Sequence, residues 1–179
     1  MRELIEPTVV LRDSWLDSSA EWGGEHQDGA GLWEAGDLST AEGFAAWVQR
    51  LREQDDDSRP PTADWVPANF WWIVEDGTYL GAITLRHALN EKLLEGGGHI
   101  GYGVRPSARG RGVASWALGA VLDRARARGM DRVLVTCDDG NVGSARTIER
   151  NGGVLEDVRD TWLGRARRYW ITLGPAGAR

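Results

Sequence analysis

Tyr102-Gly-Val-Arg-Pro-Ser-Ala-Arg109-Gly110-Arg111-Gly112-Val113-Ala114 runs from an extended segment, stopped at Pro106, through a tight bend into a helix start. Glycine permits positive φ and lets a backbone approach a ligand closely. Successive free amides at a helix N-terminus point one way and form an anion nest. Arg109 and Arg111 add full charge and forked donors suited to phosphate. The bend therefore predicts a phosphate or pyrophosphate site. No Gly-Lys-Ser/Thr follows, so it is not a Walker loop, and the third glycine of GxGxxG is absent.

Outward from the bend, the chain alternates. Before it, 69–74 (NFWWIV) reads as a strand, Asp76-Gly77 as a hairpin turn and 79–86 as the partner strand. A short helix is expected within 87–95, a break at 96–98 and a strand over 99–104. After the bend, Ala114, Ala117, Leu118, Val121 and Ala125 mark a helix over 112–128. A buried strand follows at 132–137, a helix at 142–151, and strands near 154–162 and 168–173. Toward the N-terminus, 8–12 (TVVLR) reads as a first strand and 15–25 as a short helix. A capping box, Ser39 with Glu42, opens a helix whose apolar stripe is Phe44, Trp47, Val48 and Leu51. The order predicts an α+β fold with a mixed central sheet. Residues 1–173 are expected to form a single domain, and 174–179 a frayed tail.

Composition narrows the function. The chain has 179 residues, enough for one core without staples. It holds one cysteine, Cys137, and three scattered His, so neither a disulfide nor a metal site is expected. With no signal-like start and no apolar run near about 18 residues, the chain is expected to be cytoplasmic, with no membrane role. Residues 13–64 hold 13 acids and three Arg, a balance of −10, whereas 104–128 balance at +5. A net charge of −6 argues against nucleic acid as a partner. The split suggests an anion near the middle and a cation near the acidic part; the other reading of the acids is a solvated face. Seven of the 10 Trp precede residue 73, more than a core usually needs, which leaves some to line a pocket.

Arg109-x-x-Gly112-x-Ala114 resembles the R/Q-x-x-G-x-G/A signature of the GCN5-related N-acetyltransferase (GNAT) superfamily. Val104-x-Pro106 is similar to the end of that family's fourth strand, and Asn141-x-x-Ser144 to its second motif. The element order matches over about 8–173, and Ile100-Gly101-Tyr102 with Gly112-Val113-Ala114 looks closest to the RimJ/RimL-like branch. The resemblance implies a sheet splayed between strands four and five and acetyl-CoA as cosubstrate. It implies diphosphate on Arg109, Gly110, Arg111, Gly112, Val113 and Ala114, the thioester carbonyl near the Val104 backbone, and Asn141 and Ser144 on the pantetheine or adenosine. It implies direct acetyl transfer to a primary amine.

Two departures from the family pattern bear on catalysis. Ile148 stands where many members have the Tyr that protonates the leaving thiolate, and the next aromatic position is Gly153. The usual base positions are Gly98 and Ile100, so His99 is put forward as base, with Tyr102 nearby as donor. The plainer readings are a polar residue at a loop–strand junction for His99 and a structural role for Tyr102. Cys137 could carry an acetyl group but reads more simply as a small buried strand residue. Glu95 and His87 flank the glycine break within reach of the cleft, His26 reads as solvated, and Asp138 and Asp139 as the start of the next helix. Aromatic rings and carboxylates in the acceptor region suit a cationic small molecule or a peptide amine. The missing Tyr keeps a second reading open, a catalytically weak acetyl-CoA sensor or scaffold. Edge strands of this fold often pair in homodimers, though nothing in the sequence demands it.

Overall fold

A computed structural model describes residues 1–174. The expected tail therefore lies outside the described residues, apart from Gly174. The strands are β1 (Arg2–Ile5), β2 (Ala68–Glu75), β3 (Thr78–Arg86), β4 (Ile100–Val104), β5 (Arg132–Asp138), β6 (Val154–Thr161) and β7 (Gly164–Thr172). The helices are α1 (Arg12–Glu21), α2 (Ala41–Arg52), α3 (Glu91–Glu95), α4 (Val113–Ala127) and α5 (Val142–Arg150). One seven-stranded sheet runs β1-β2-β3-β4-β5-β7-β6. Every pairing is antiparallel except β4 with β5.

Alternation along the strands sends side chains to two cores. Ile73, Ile83, Leu85, Val133, Val135 and Ile171 meet Val113, Ala117, Leu118 and Val121 of α4 and Ile148 of α5 on one face. Phe70, Trp72, Val74 and Tyr79 meet Trp15, Phe44, Trp47 and Leu51 of α1 and α2 on the other. No helix among the described residues is long and apolar enough to cross a membrane.

The first strand is not at 8–12. Val9–Leu11 form a 3-10 turn whose Thr8 side chain accepts from the Val10 amide. Val9 and Val10 stay exposed, so no sheet face claims them. Arg2–Ile5 pair with β2 instead, and Arg2 Nε donates to Glu75 at 3.0 Å. The α2 cap is Thr40, which accepts from the Gly43 amide, because Asp37 Oδ1 already takes the Ser39 amide and hydroxyl.

Candidate active site

The only ladder position between β4 and β5 is Ile100 with Val135. Beyond it the two strands part. Arg105 N–H bonds Leu80 O and Arg86 N–H bonds His99 O, which fixes the odd residues as those bonded to β3. By alternation, the main-chain groups of Tyr102 and Val104 turn away from β3, into the split. The Val104 carbonyl accepts from Arg109 Nε at 3.0 Å, which leaves its N–H for a ligand.

At the wide end of the split lies the glycine bend. Gly110 (φ +74°) and Gly112 (φ +73°) are both left-handed, and Gly112 caps α4 with no side-chain bond. Among the described residues, no backbone carbonyl outside α4 accepts from the amides of Gly110 to Ser115. A Cβ added at either glycine would meet nothing within 4 Å, so the concave side is open. Unpartnered amides, a helix N-terminus and open space together make an anion cradle.

The two arginines brace the cradle more than they line it. Arg109 lies over the Trp22 ring at 4.7 Å while bonding Val104. Arg111 pairs with Glu75. Glu21, at the end of α1, pairs with Arg105 and accepts from the Ser107 amide and hydroxyl, each at 2.9 Å. Those bonds, Arg105 first, hold its carboxyl down at about 2, so the clamp persists at neutral pH.

Across the split, α5 supplies the second wall. Asn141 caps it, its Oδ1 accepting from the Ser144 amide at 3.0 Å. Ser144 Oγ and Tyr102 Oη lie 2.8 Å apart, so a β4 side chain and an α5 side chain meet over the opening. Burial pushes the Tyr102 phenol well up, which keeps it protonated and able to donate. Cys137 borders the same wall, and burial raises its thiol to about 11. A thiol held protonated is a poor nucleophile, so the plainer reading of Cys137 stands. Ile148, in the position of the familiar tyrosine, is fully buried in the core.

His99 does not stand where a base must. The residue is 8% exposed, and its Nδ1 accepts from the Leu134 amide at 2.8 Å while its own amide bonds Leu134 O at 2.7 Å. The ring thus replaces a ladder carbonyl at the narrow end of the split. With Nδ1 engaged, the neutral ring holds its proton on Nε2 and has no free lone pair. Burial, with Arg86 and Arg132 nearby, lowers its pKa from 6.5 to about 4. The unfolded chain therefore binds this proton first on acidification, and stability falls as pH drops from about 6.5 to about 4. We expect the urea midpoint to fall more steeply over that interval in the wild type than in His99→Gln. Equal slopes would show that the ring bond to Leu134 carries no pH dependence.

The tryptophans do not form an open cage. Trp15, Trp47 and Trp72 join Phe44 and Tyr79 in the aromatic core. The other seven each lie beneath a cation of the chain itself, among them Arg50 over Trp33, Arg59 over Trp65 and Lys92 over Trp162. His87 turns from the split to Asp57 and Asn69, each at 2.7 Å. With Asp55 and Asp57 it is the one group among the described residues close enough to share a cation. Arg128 pairs with Asp57 there, one helix length of about 22 Å from the cradle. Asp138 accepts from the Gly140 amide and Asp139 pairs with Arg165 and Arg167, so neither starts α5.

Glu95 lines an open groove of about 480 Å³ between α3 and the β6–β7 hairpin, with Glu91, Glu156, Arg132, Arg168 and Trp170. The Trp170 ring lies 6.3 Å from that of His99, so the groove reaches the narrow end of the split. Both signs of charge line it. Sequence reading missed this groove and the Tyr102–Ser144 contact; both join residues far apart in the chain.

A model of the acetyltransferase (GNAT) domain family matches residues 16–154. No curated protein sequence matches. Among solved structures, RimJ of Mycobacterium smegmatis in complex with CoA-disulfide superposes with a TM-score of 0.72 at 18% identity, over 96% of this chain and 81% of that one. A Salmonella typhimurium acetyltransferase that modifies the N-terminal serine of 50S ribosomal subunit protein L7/L12 gives 0.68 at 16%, over 97% and 95%. The microcin C7 self-immunity acetyltransferase MccE, in complex with acetyl-CoA and AMP, gives 0.68 at 15%, over 96% and 92%. At these identities the likeness is one of fold.

Proposed function

The chain belongs to the GNAT acetyltransferase family, a family of enzymes whose cosubstrate is acetyl-CoA, and from that premise we propose that residues 1–173 act as one domain transferring acetyl to the N-terminal amine of a peptide. The diphosphate rests on the amides of Gly110 to Ala114, and the pantetheine runs down the split. The free main-chain groups of Tyr102 and Val104 pair with its amides and with the thioester carbonyl, where they stabilise the oxyanion of the tetrahedral intermediate. The Tyr102–Ser144 hydroxyl pair supplies the hydrogen bond, and then the proton, to the leaving sulfur that a tyrosine at position 148 would otherwise supply. Asn141 acts through the α5 cap, holding Ser144 in place. No metal enters this reaction.

One observation carries the reading: a bend of unpartnered amides opens onto a parallel strand pair that parts after a single ladder position. A peptide fits the acceptor side better than a small cation does, because the tryptophan faces are taken by the chain's own cations and the groove carries both signs of charge. The neighbour that modifies the N-terminal serine of ribosomal protein L7/L12 supports the same choice.

The test is release of CoA thiol from acetyl-CoA by the full chain. The acceptors are peptides beginning with Ser or Ala, the same peptides with blocked N-termini and an internal Lys, and spermidine. Turnover is expected with the free N-terminal peptides. Turnover of spermidine alone would overturn the peptide assignment. Binding of acetyl-CoA with no turnover of any amine would favour the sensor or scaffold.

A further inference from the structure

β4 carries glycine at alternate positions, Gly101 and Gly103, and the chain from Gln27 to Ala30 lies across them. A Cβ on Gly29 would stand 2.3 Å from Gly101 O, and one on Gly103 would stand 2.8 Å from Asp28 O. Only glycine at these places lets the segment sit so near the strand. Thr84 Oγ1 donates to Gly29 O at 2.6 Å and fastens the segment to β3. Gln27 and Ala30, at 7% and 2% exposure, pin its two ends. Between those pins the Asp28 carboxylate stays open, 70% exposed, with His26 Nε2 at 3.1 Å.

The groups that feel this carboxylate lie on separate elements. Its charge acts on Arg86 of β3, whose Nη1 bonds the carbonyls of Gly97 and Gly98, and on Tyr102 of β4. His26 faces it from its own segment. β4 itself offers no base: His99 is locked to Leu134, and the next positions are Ile100, Gly101 and Gly103. A base must then come from outside the strand, and the strapped segment lays the Asp28 backbone against Gly103 and Gly29 against the Tyr102 Cα, beside the split.

Resting on the acetyl-CoA site described above, we propose that Asp28 is the catalytic group that receives the proton of the attacking amine, with His26 passing it to solvent. The acceptor arrives as an ammonium, is drawn to the carboxylate and gives up one proton to it, which His26 passes to solvent, freeing Asp28 again. Its lone pair then forms the N–C bond to the thioester carbon. The tetrahedral intermediate loses the second N–H proton to Asp28, the C–S bond breaks, and the thiolate takes a proton from the Tyr102–Ser144 pair. The hydroxyl pair regains its proton from solvent, so one proton leaves overall. The exposure of His26, 77% for its side chain, suits it to that exit.

The experiment uses the full chain, acetyl-CoA and the best N-terminal peptide from the acceptor panel. In D28N, kcat is expected to fall about a hundredfold, with acetyl-CoA affinity by calorimetry unchanged and a flattened pH dependence of kcat. D28E should regain part of the rate, and His26→Gln should lower kcat less than D28N does. Near-normal kcat in D28N alongside an active wild type would overturn this inference alone. A loss of rate that follows a loss of acetyl-CoA affinity would overturn it too. A wild type that binds acetyl-CoA but acetylates no amine would overturn the inference together with the peptide reading.

Discussion

Replacing Gly112 with Glu is expected to weaken acetyl-CoA binding about a hundredfold or more in a chain that stays folded. Two costs add. Gly112 has φ +73°, where a side chain costs roughly 1–2 kcal/mol of local strain. The larger cost is electrostatic. A carboxylate in the open space before the α4 amides stands in the proposed diphosphate site. Like charges about 4 Å apart repel by roughly 1 kcal/mol in water and roughly 4 kcal/mol near a protein surface. Gly112→Ala separates the two, since it carries strain without charge, and should bind within about thirtyfold of wild type, the most that roughly 2 kcal/mol of strain allows. Calorimetry with acetyl-CoA reads both, with circular dichroism as the check on folding. A folded Glu variant of normal affinity would remove the cradle from the account.

The second large effect is on stability. Trp47→Ala should lower the free energy of unfolding by about 3–5 kcal/mol, a large part of the roughly 5–15 kcal/mol typical of a domain. Trp47 is 1% exposed and packs its ring against Trp15, Phe44 and Trp72 at 5.0, 5.4 and 5.9 Å. Its Nε1 also donates to Gly31 O at 2.8 Å, one residue past the strapped segment. Arg50 bonds the same carbonyl at 3.1 Å, so Gly31 O keeps a partner in the variant and the loss is chiefly packing. Guanidinium unfolding measures it. A change below about 1 kcal/mol would mean that the aromatic core collapses onto the gap.

The bend was legible because its chemistry is local. Positive φ demands glycine at 110 and 112, and a helix start demands free amides, so sequence alone names the cradle. The roles of its arginines were not legible, because Glu75 and Trp22, which occupy them, lie far away in the chain. Tryptophan count misled for a related reason: composition records rings and cations but not which ring lies under which cation. His99 was put forward as a base, yet its role depends on which atom its ring meets, and that atom is a backbone amide of β5. β1 escaped notice because four residues give too short an alternation, and its place is set by the partner strand. One signal was present and unread. Glycine at both 101 and 103, on one face of a strand, marks the approach of another backbone, and that backbone carries Asp28.

A crystal structure of the chain with acetyl-CoA tests the central claim most directly. The diphosphate oxygens are expected within about 3 Å of the amides between Gly110 and Ala114, with the thioester between Tyr102 and Cys137 where β4 and β5 part. Acetyl-CoA bound elsewhere, with that bend empty, would contradict it.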